Sequence, residues 1–281
     1  MFCDLHTHSI FSDGTSTPQE LIDGAIAAHL GAIALTDHNT VEGLPHILTA
    51  ASGKNIDVVL GSEFSVNYGD KELHLLGLFI SPEYFPQITD LMTSILVRKE
   101  HSNAELVEAL GRAGIRLDYD AIRASAHGVS VNRAHIASAM MQGGYVSSVA
   151  EAFERYLSPK AGFYKEPKSI DVWEMIDVIK SIGAVSVLAH PFLKLSEPDL
   201  VRFLGEASKA GLDGMECYYS LHDEAATNTA IKLADEYGLL KSGGSDFHGE
   251  RKPDIELGVG RGNLQVPYEC YLRLREKAKA I

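Results

Sequence analysis

Residues 1–14 read MFCDLHTHSIFSDG and residues 30–43 read LGAIALTDHNTVEG. In each, a short apolar run breaks off into histidines and carboxylates. The runs at 1–6 and 32–36 predict two strands. Between them, Thr17 and Glu20 stand at capping-box spacing, Pro18 occupies the first helical position, and Gly31 follows the apolar stretch LIDGAIAAHL. Those signals predict a helix that begins after Thr17 and stops before the second strand. Strand, helix and strand at this spacing form a βα unit, the building block of a parallel sheet.

Working outward, 58–61 and 72–79 predict a third and a fourth strand. From residue 81 the texture changes: Ile88, Leu91 and Ile95, then Leu106 and Leu110, recur at helical spacing. No strand is expected before about residue 184, and this stretch ends near the loop SPKAGFYKEP. The βα rhythm then resumes, with helices at 171–182, 199–210 and 223–237 and strands at 185–189, 214–218 and 239–243. Gly183 and Gly211 close the first two of these helices. The expected fold is therefore α/β, a barrel of seven strands built from 1–81 and 166–281, with a small helical insertion domain at 82–165. A chain of 281 residues accommodates one such barrel, which commonly takes about 250 residues.

Composition narrows the partners. Apolar residues make up 45% and charged residues 22%, enough apolar content for a large core. No apolar run reaches the ~18 residues of a membrane span, and MFCDLHTHS has neither the basic nor the apolar region of a signal peptide, so a cytoplasmic protein is expected. Cys3, Cys217 and Cys270 are odd in number and lack CxxC spacing, which predicts reduced structural thiols. The net charge of −13 disfavours an extended nucleic-acid surface. That surplus lies wholly outside the insertion, which holds nine Lys/Arg and nine Asp/Glu. A small anionic substrate remains compatible with a pocket in which bound cations offset the carboxylates.

The candidate ligands fall at or just past predicted strand ends. His6 and His8 close the first strand, with Asp13 beyond; His38 follows the second and Glu63 the third; His74 lies in the fourth; His190 ends the fifth; Asp246 and His248 end the seventh. In parallel barrels those ends share one face. The i, i+2 pairs His6/His8 and Asp246/His248 each point two groups to one side of an extended segment. Six imidazoles and three carboxylates without a thiolate suit Zn, Mn or Fe, and exceed what one ion needs. Asp4, on the side of His6, is expected either to orient an imidazole or to end the strand. Glu216 ends strand six, His222 is a weak substrate-side candidate, and His29, His46, His101 and His127 read as surface or structural residues.

DLHTHSIFSDG, ALTDHNT, GSEF, HLLGL, LAHP and GGSDFHG together resemble the successive motifs of the PHP (polymerase and histidinol phosphatase) phosphoesterase family. The resemblance covers 1–81 and about 166–281. It implies a distorted (β/α)7 barrel with three divalent ions: His6, His8, Glu63 and Asp246 on the first, Glu63, His74 and His190 on the second, Asp13, His38 and His248 on the third. It also implies metal-dependent hydrolysis of a phosphomonoester; in such a reaction His190 or Asp246 is expected to pass a proton to the departing group. Within the insertion, VNRAHIA resembles the RPHIA stretch of relatives acting on nucleoside 3′,5′-bisphosphates, which implies that Arg133 and His135 bind phosphate and that short RNA ends are a further substrate class. Ala134 stands where proline is usual, and His101 where relatives carry a second arginine after Arg98. Histidinol phosphate is the rival substrate. A metal-binding regulatory module is the rival from outside enzymes, opposed by all nine ligand positions being filled.

Overall fold

A computed structural model describes residues 1–125, 131–165, 167 and 169–280. His127 lies outside the described residues. The chain packs as two compact units, Met1–Thr89 with Ile170–Ile281, and Asp90–Ser169.

In the first unit, β1 (Phe2–Asp4), α1 (Pro18–Ala27), β2 (Leu30–Leu35), α2 (Leu44–Ala51), β3 (Asp57–Tyr68) and β4 (Lys71–Leu78) come first. Helix α3 (Phe85–Arg112) leads into the second unit, where α4 (Tyr119–Ser125), α5 (Arg133–Gln142) and α6 (Val149–Ala152) follow. The first unit resumes with α7 (Val172–Ser181), β5 (Val185–Leu188), α8 (Glu197–Ala210), β6 (Gly214–Tyr219), α9 (Glu224–Glu236), β7 (Leu240–Gly244), β8 (Val266–Pro267) and α10 (Tyr268–Ala280). Local chemistry sets these bounds. Thr17 and Glu20 form the reciprocal capping box of α1, Asp171 accepts from Trp173 N to start α7, and Ser196 caps α8, which stops at Gly211 with φ +98°.

The strands form one sheet in the order β7-β6-β5-β4-β3-β2-β1-β8. Its ends also meet. Leu5 N donates to Gly243 O (3.1 Å), Asp246 N to His6 O (2.9 Å) and His8 N to Phe247 O (2.9 Å), so the chain beyond β1 joins that beyond β7 and closes a barrel. Gly244 permits the approach, because a Cβ there would fall 2.4 Å from the backbone nitrogen of His6. The seven expected strands are all present. The eighth is only two residues long, antiparallel to the first half of β1, and too short to leave a pattern in sequence.

Strand direction departs from a uniform parallel barrel. β3 and β4 form an antiparallel hairpin turning at Gly69 and Asp70, and β4 is antiparallel to β5. β3 also runs to Tyr68, well past the expected stop at 61, so Glu63 sits inside the strand rather than after it. The reversal keeps His74 near the site: it lies early in β4, opposite Ser65 late in β3. Inside the barrel, Cys3 and Leu5, Ala32 and Ala34, Leu76 and Leu78, and Val185 and Val187 alternate inward, joined by Tyr271 and Leu274 of α10. All three cysteines are buried and free.

The second unit has its own core, made by Leu106, Leu110, Val131, Ile136, Met140 and Leu157 among others. Asn132 caps α5 by accepting from Ala134 N and His135 N, and His135 Nδ1 accepts from Asn132 N in return. Among the described residues, no helix is long and apolar enough to cross a membrane.

Candidate metal centre

Glu63 organises the barrel mouth. It is fully buried; Oε1 takes His74 Nδ1 at 2.7 Å and His190 Nε2 at 2.9 Å. Around Oε2 stand His38 Nδ1 at 3.0 Å and the Nε2 atoms of His6 and His8, each at 3.2 Å. These three nitrogens meet Oε2 without hydrogen-bond geometry, leaving it a buried, unpaired carboxylate oxygen.

His6 and His8 point the same way from the extended end of β1, as their i, i+2 spacing requires, and their Nε2 atoms are 3.1 Å apart. Glu216 Oε1 accepts from His6 Nδ1 at 3.0 Å, which fixes that proton and aims Nε2 into the site, where its lone pair becomes available once the ring is neutral. Asp246 divides its oxygens. Oδ1 lies 3.7, 3.4 and 3.4 Å from His6 Nε2, His8 Nε2 and His248 Nδ1, whereas Oδ2 accepts from Tyr219 OH (2.9 Å) and Lys252 Nζ (2.7 Å). Asp13 completes the cluster from the loop after β1, with Oδ1 at 3.2 Å from His248 Nε2 and 3.8 Å from both His8 Nδ1 and His38 Nε2.

All nine groups expected from the strand ends thus come together. They fall into overlapping sets whose ligand atoms lie within 4.8 Å of one another: His8, Asp13, His38 and His248; His6, Glu63 and His190; His6, His8 and Asp246; His38, Glu63 and His74. His8 Nδ1, Asp13 Oδ1 and Glu63 Oε2 are buried without a hydrogen-bond partner among the described residues. Leaving one such atom unpaired costs about 1–3 kcal/mol. Three in a single cluster, with two imidazole Nε2 atoms 3.1 Å apart, fit a site built to hold cations. The donor set of imidazole nitrogen and carboxylate oxygen suits first-row divalent ions.

The electrostatics are mutual. Burial opposes charge on His6, but the carboxylates of Glu216, Glu63 and Asp246 overcome it and raise its pKa well above the ordinary value. His74 is pushed up to about 9, burial being outweighed by its bonds to Glu63 and Glu72. Conversely, burial would raise Glu63 and Asp246, yet the facing imidazoles hold both carboxyls below their usual range. A pH prediction follows. Imidazoles with raised folded pKa values stabilise the metal-free chain fully below ~6.5, and that contribution fades as pH rises through about 9. Metal ions need the deprotonated ligands, so their stabilisation grows over the same window. The gap between metal-loaded and chelated thermal midpoints should widen from pH 6.5 to 9; a constant gap would contradict the protonated apo site.

Backbone strain collects here as well. His190 and Asp246 have φ of +28° and +56°, a region that L residues avoid. His190 N is held by Glu216 Oε2 at 2.7 Å, and Asp246 N by His6 O. The seryl loop carrying Asp13 is pinned by Asp37, which accepts from Ser9 N, Ser9 Oγ and Ser12 Oγ at 2.6–2.7 Å.

Several supporting residues were not legible in advance. Glu216 serves two ligands at once, although the family pattern required no role for it; the available signal was a carboxylate inside an otherwise apolar strand. Tyr219 and Lys252 gave none. Among the described residues, Asp4 makes no hydrogen bond or ion pair with an imidazole ring: it accepts from Ser245 N, Ser245 Oγ, Gly258 N and His6 N, and ties β1 to the segments after β7. His222 is buried against Phe192 and Tyr219, with its Nδ1 on Cys217 O and its Nε2 unpaired. His29 and His46 are exposed, and His101 pairs with Glu105 on α3. Arg133 and His135 belong to the second unit. There the Arg133 guanidinium lies 4.3 Å from the Tyr164 ring centroid and donates to Leu157 O.

Glu216→Gln should weaken metal binding by roughly 10–100-fold, as is typical when the partner of a ligating histidine is lost. The circular-dichroism spectrum should be retained. Metal titration checks it, and unchanged affinity would show that His6 needs no help from Glu216.

The PHP domain family matches residues 4–168. A 5′-3′ exoribonuclease of Haemophilus influenzae is 34% identical over 246 residues, covering 87% of this chain and 89% of that protein. A 3′,5′-nucleoside bisphosphate phosphatase of Chromobacterium violaceum is 31% identical over 257 residues, covering 91% and 90%. Among solved structures, a candidate metal-dependent phosphoesterase of Bifidobacterium adolescentis superposes with a TM-score of 0.68 at 27% identity, covering 98% of this chain and 96% of that one.

Proposed function

Because this chain belongs to the PHP domain family and is a metal-dependent phosphoester hydrolase, we propose that it removes phosphate from a small phosphomonoester, with nucleoside 3′,5′-bisphosphates as the favoured class. The observation that carries this reading is the set of nine converging ligand groups, three of them with buried unpaired atoms.

In this reading the chain holds three divalent ions of Mn, Fe or Zn. His6, His8, Glu63 and Asp246 hold the first, Glu63, His74 and His190 the second, and Asp13, His38 and His248 the third. Ions bound there supply Lewis-acid charge and lower the pKa of water towards about 7. The residues do the rest. Glu216 and Tyr219 keep His6 and Asp246 oriented, and the buried walls around Glu63 strengthen every charge interaction with the reacting phosphoryl group. His190 or Asp246 passes the proton to the departing oxygen. Asp246 enters the reaction ionised, so a proton it hands on must first come from the attacking water.

The 82–165 insertion supplies substrate contacts in this proposal. The Arg133 guanidinium lies over the Tyr164 and Phe153 rings and donates from Nη1 to Leu157 O, which leaves its other N–H groups for a phosphate, with His135 as its neighbour on α5. Arg133→Ala should raise KM about tenfold or more with kcat little changed, as for a remote anchor; a fall confined to kcat would rule that role out.

A second reading, trimming of short RNA from the 5′ end, is supported by the exoribonuclease relative. A phosphate-release panel with Mn-loaded protein separates the readings. It compares a nucleoside 3′,5′-bisphosphate, histidinol phosphate and 5′-phosphorylated trinucleotides. Preference for histidinol phosphate, or no turnover of any member, would overturn the proposal.

A further inference from the structure

Among the described residues, one lysine or arginine forms an ion pair with any of the nine converging groups: Lys252, whose Nζ lies 2.7 Å from Asp246 Oδ2. We propose that Lys252 is a catalytic residue that binds a nonbridging oxygen of the substrate's phosphoryl group, acting as a fixed positive charge beside the metal ligands. The inference rests on the phosphoesterase reading above and adds a substrate contact to it.

The loop is built to present this side chain. After His248, Gly249 turns at φ +64°, and Lys252 N closes the turn by donating to Gly249 O at 3.1 Å. Thr15 holds the turn from across the site: its Oγ1 accepts from Glu250 N at 2.9 Å, and its own N donates to His248 O at 3.1 Å. Ile255, just beyond Pro253, is buried and donates to Lys252 O. The lysine backbone is therefore fixed on both sides, and the ammonium is steered by a carboxylate with almost no exposure of its own. The Lys252 side chain remains 36% exposed, so an incoming anion can reach it.

Charge gives the lysine its role. Asp246 Oδ2 already accepts from Tyr219 OH, while its Oδ1 faces the imidazole cluster, so the ammonium sits on the outer oxygen and is not needed to orient the inner one. The single charge of Asp246 lies between this ammonium and the groups that hold divalent ions, and one carboxylate does not offset several such ions, so a further anion beside the ammonium is favoured. A phosphoryl group brings that anion. An ammonium has three N–H donors, and one serves Asp246, leaving two for phosphate oxygens. The negative charge that builds on those oxygens during transfer is what such a donor stabilises.

The test compares metal-loaded wild type with Lys252→Met and Lys252→Arg by two readouts: metal content by elemental analysis, and affinity for inorganic phosphate by calorimetry. Lys252→Met should keep the wild-type metal complement and bind phosphate about tenfold more weakly or worse, with Lys252→Arg recovering part of the loss. Phosphate affinity within about twofold of wild type would overturn the proposal. So would a loss of metal parallel to the loss of phosphate binding, which would make Lys252 only a positioning residue for Asp246. A wild type that binds phosphate through Lys252 yet hydrolyses no phosphomonoester would instead sink the functional reading alone.

Discussion

Glu63→Gln is expected to leave a folded protein whose turnover falls about 10⁴-fold, equivalent to ~5 kcal/mol of lost transition-state stabilisation. Among the described residues, no other side chain meets so many of the converging groups: five imidazoles lie within 3.2 Å of its two oxygens. The amide preserves shape but removes the negative charge, and it offers one oxygen where the carboxylate offers two. One side of the amide would then turn an N–H₂ group towards imidazole nitrogens. Two of the proposed ion positions share Glu63, so metal content should fall together with activity, by one or more equivalents per chain. The thermal midpoint of the metal-free variant should also lose the pH dependence that the paired imidazoles confer. Elemental analysis with single-turnover kinetics at saturating Mn checks the claim, and a variant with full metal content and near-normal rate would refute the bridging role.

Asp13→Asn should also cut the rate by orders of magnitude, though less than Glu63→Gln, and be far gentler to structure. Its side chain is 43% exposed and sits on a loop pinned independently by Asp37, so the barrel does not depend on it. Among the acids of the cluster it is the carboxylate facing His8, His38 and His248, and those contacts hold its pKa below the usual range against burial. Its loss leaves that set with imidazoles alone. We expect a fall in kcat of about 10²–10³-fold, the size seen when one electrostatic stabiliser is removed from an active site. The thermal midpoint of the chelated protein should stay within a few degrees of wild type. Unchanged turnover in the metal-replete variant would reject a separate third ion.

Why the site was readable from sequence, and its support was not, comes down to distance along the chain. His6 with His8, and Asp246 with His248, announce themselves because an extended backbone places alternate residues on one side. Capping boxes and glycine stops are equally local, which is why α1 and α8 lie close to where their residues place them. Glu63 was located as a ligand but assigned to a strand end, since nothing in GSEF says that β3 continues to Tyr68; the hairpin with β4 carries it on. Helices α2 and α10 gave no usable pattern, α2 being eight residues long and α10 dense in charge on its outer face.

By itself the sequence determined the α/β class, the seven barrel strands and the identity of the nine chemical groups, because each depends on periodicity or residue type within a few positions. Tertiary structure alone decided how those groups pair: Glu216 behind two histidines, Tyr219 and Lys252 on the outer oxygen of Asp246, and β4 reversed so that His74 reaches Glu63. Such partners are set by where strand ends stop after the barrel closes, a global constraint that no short window of residues contains.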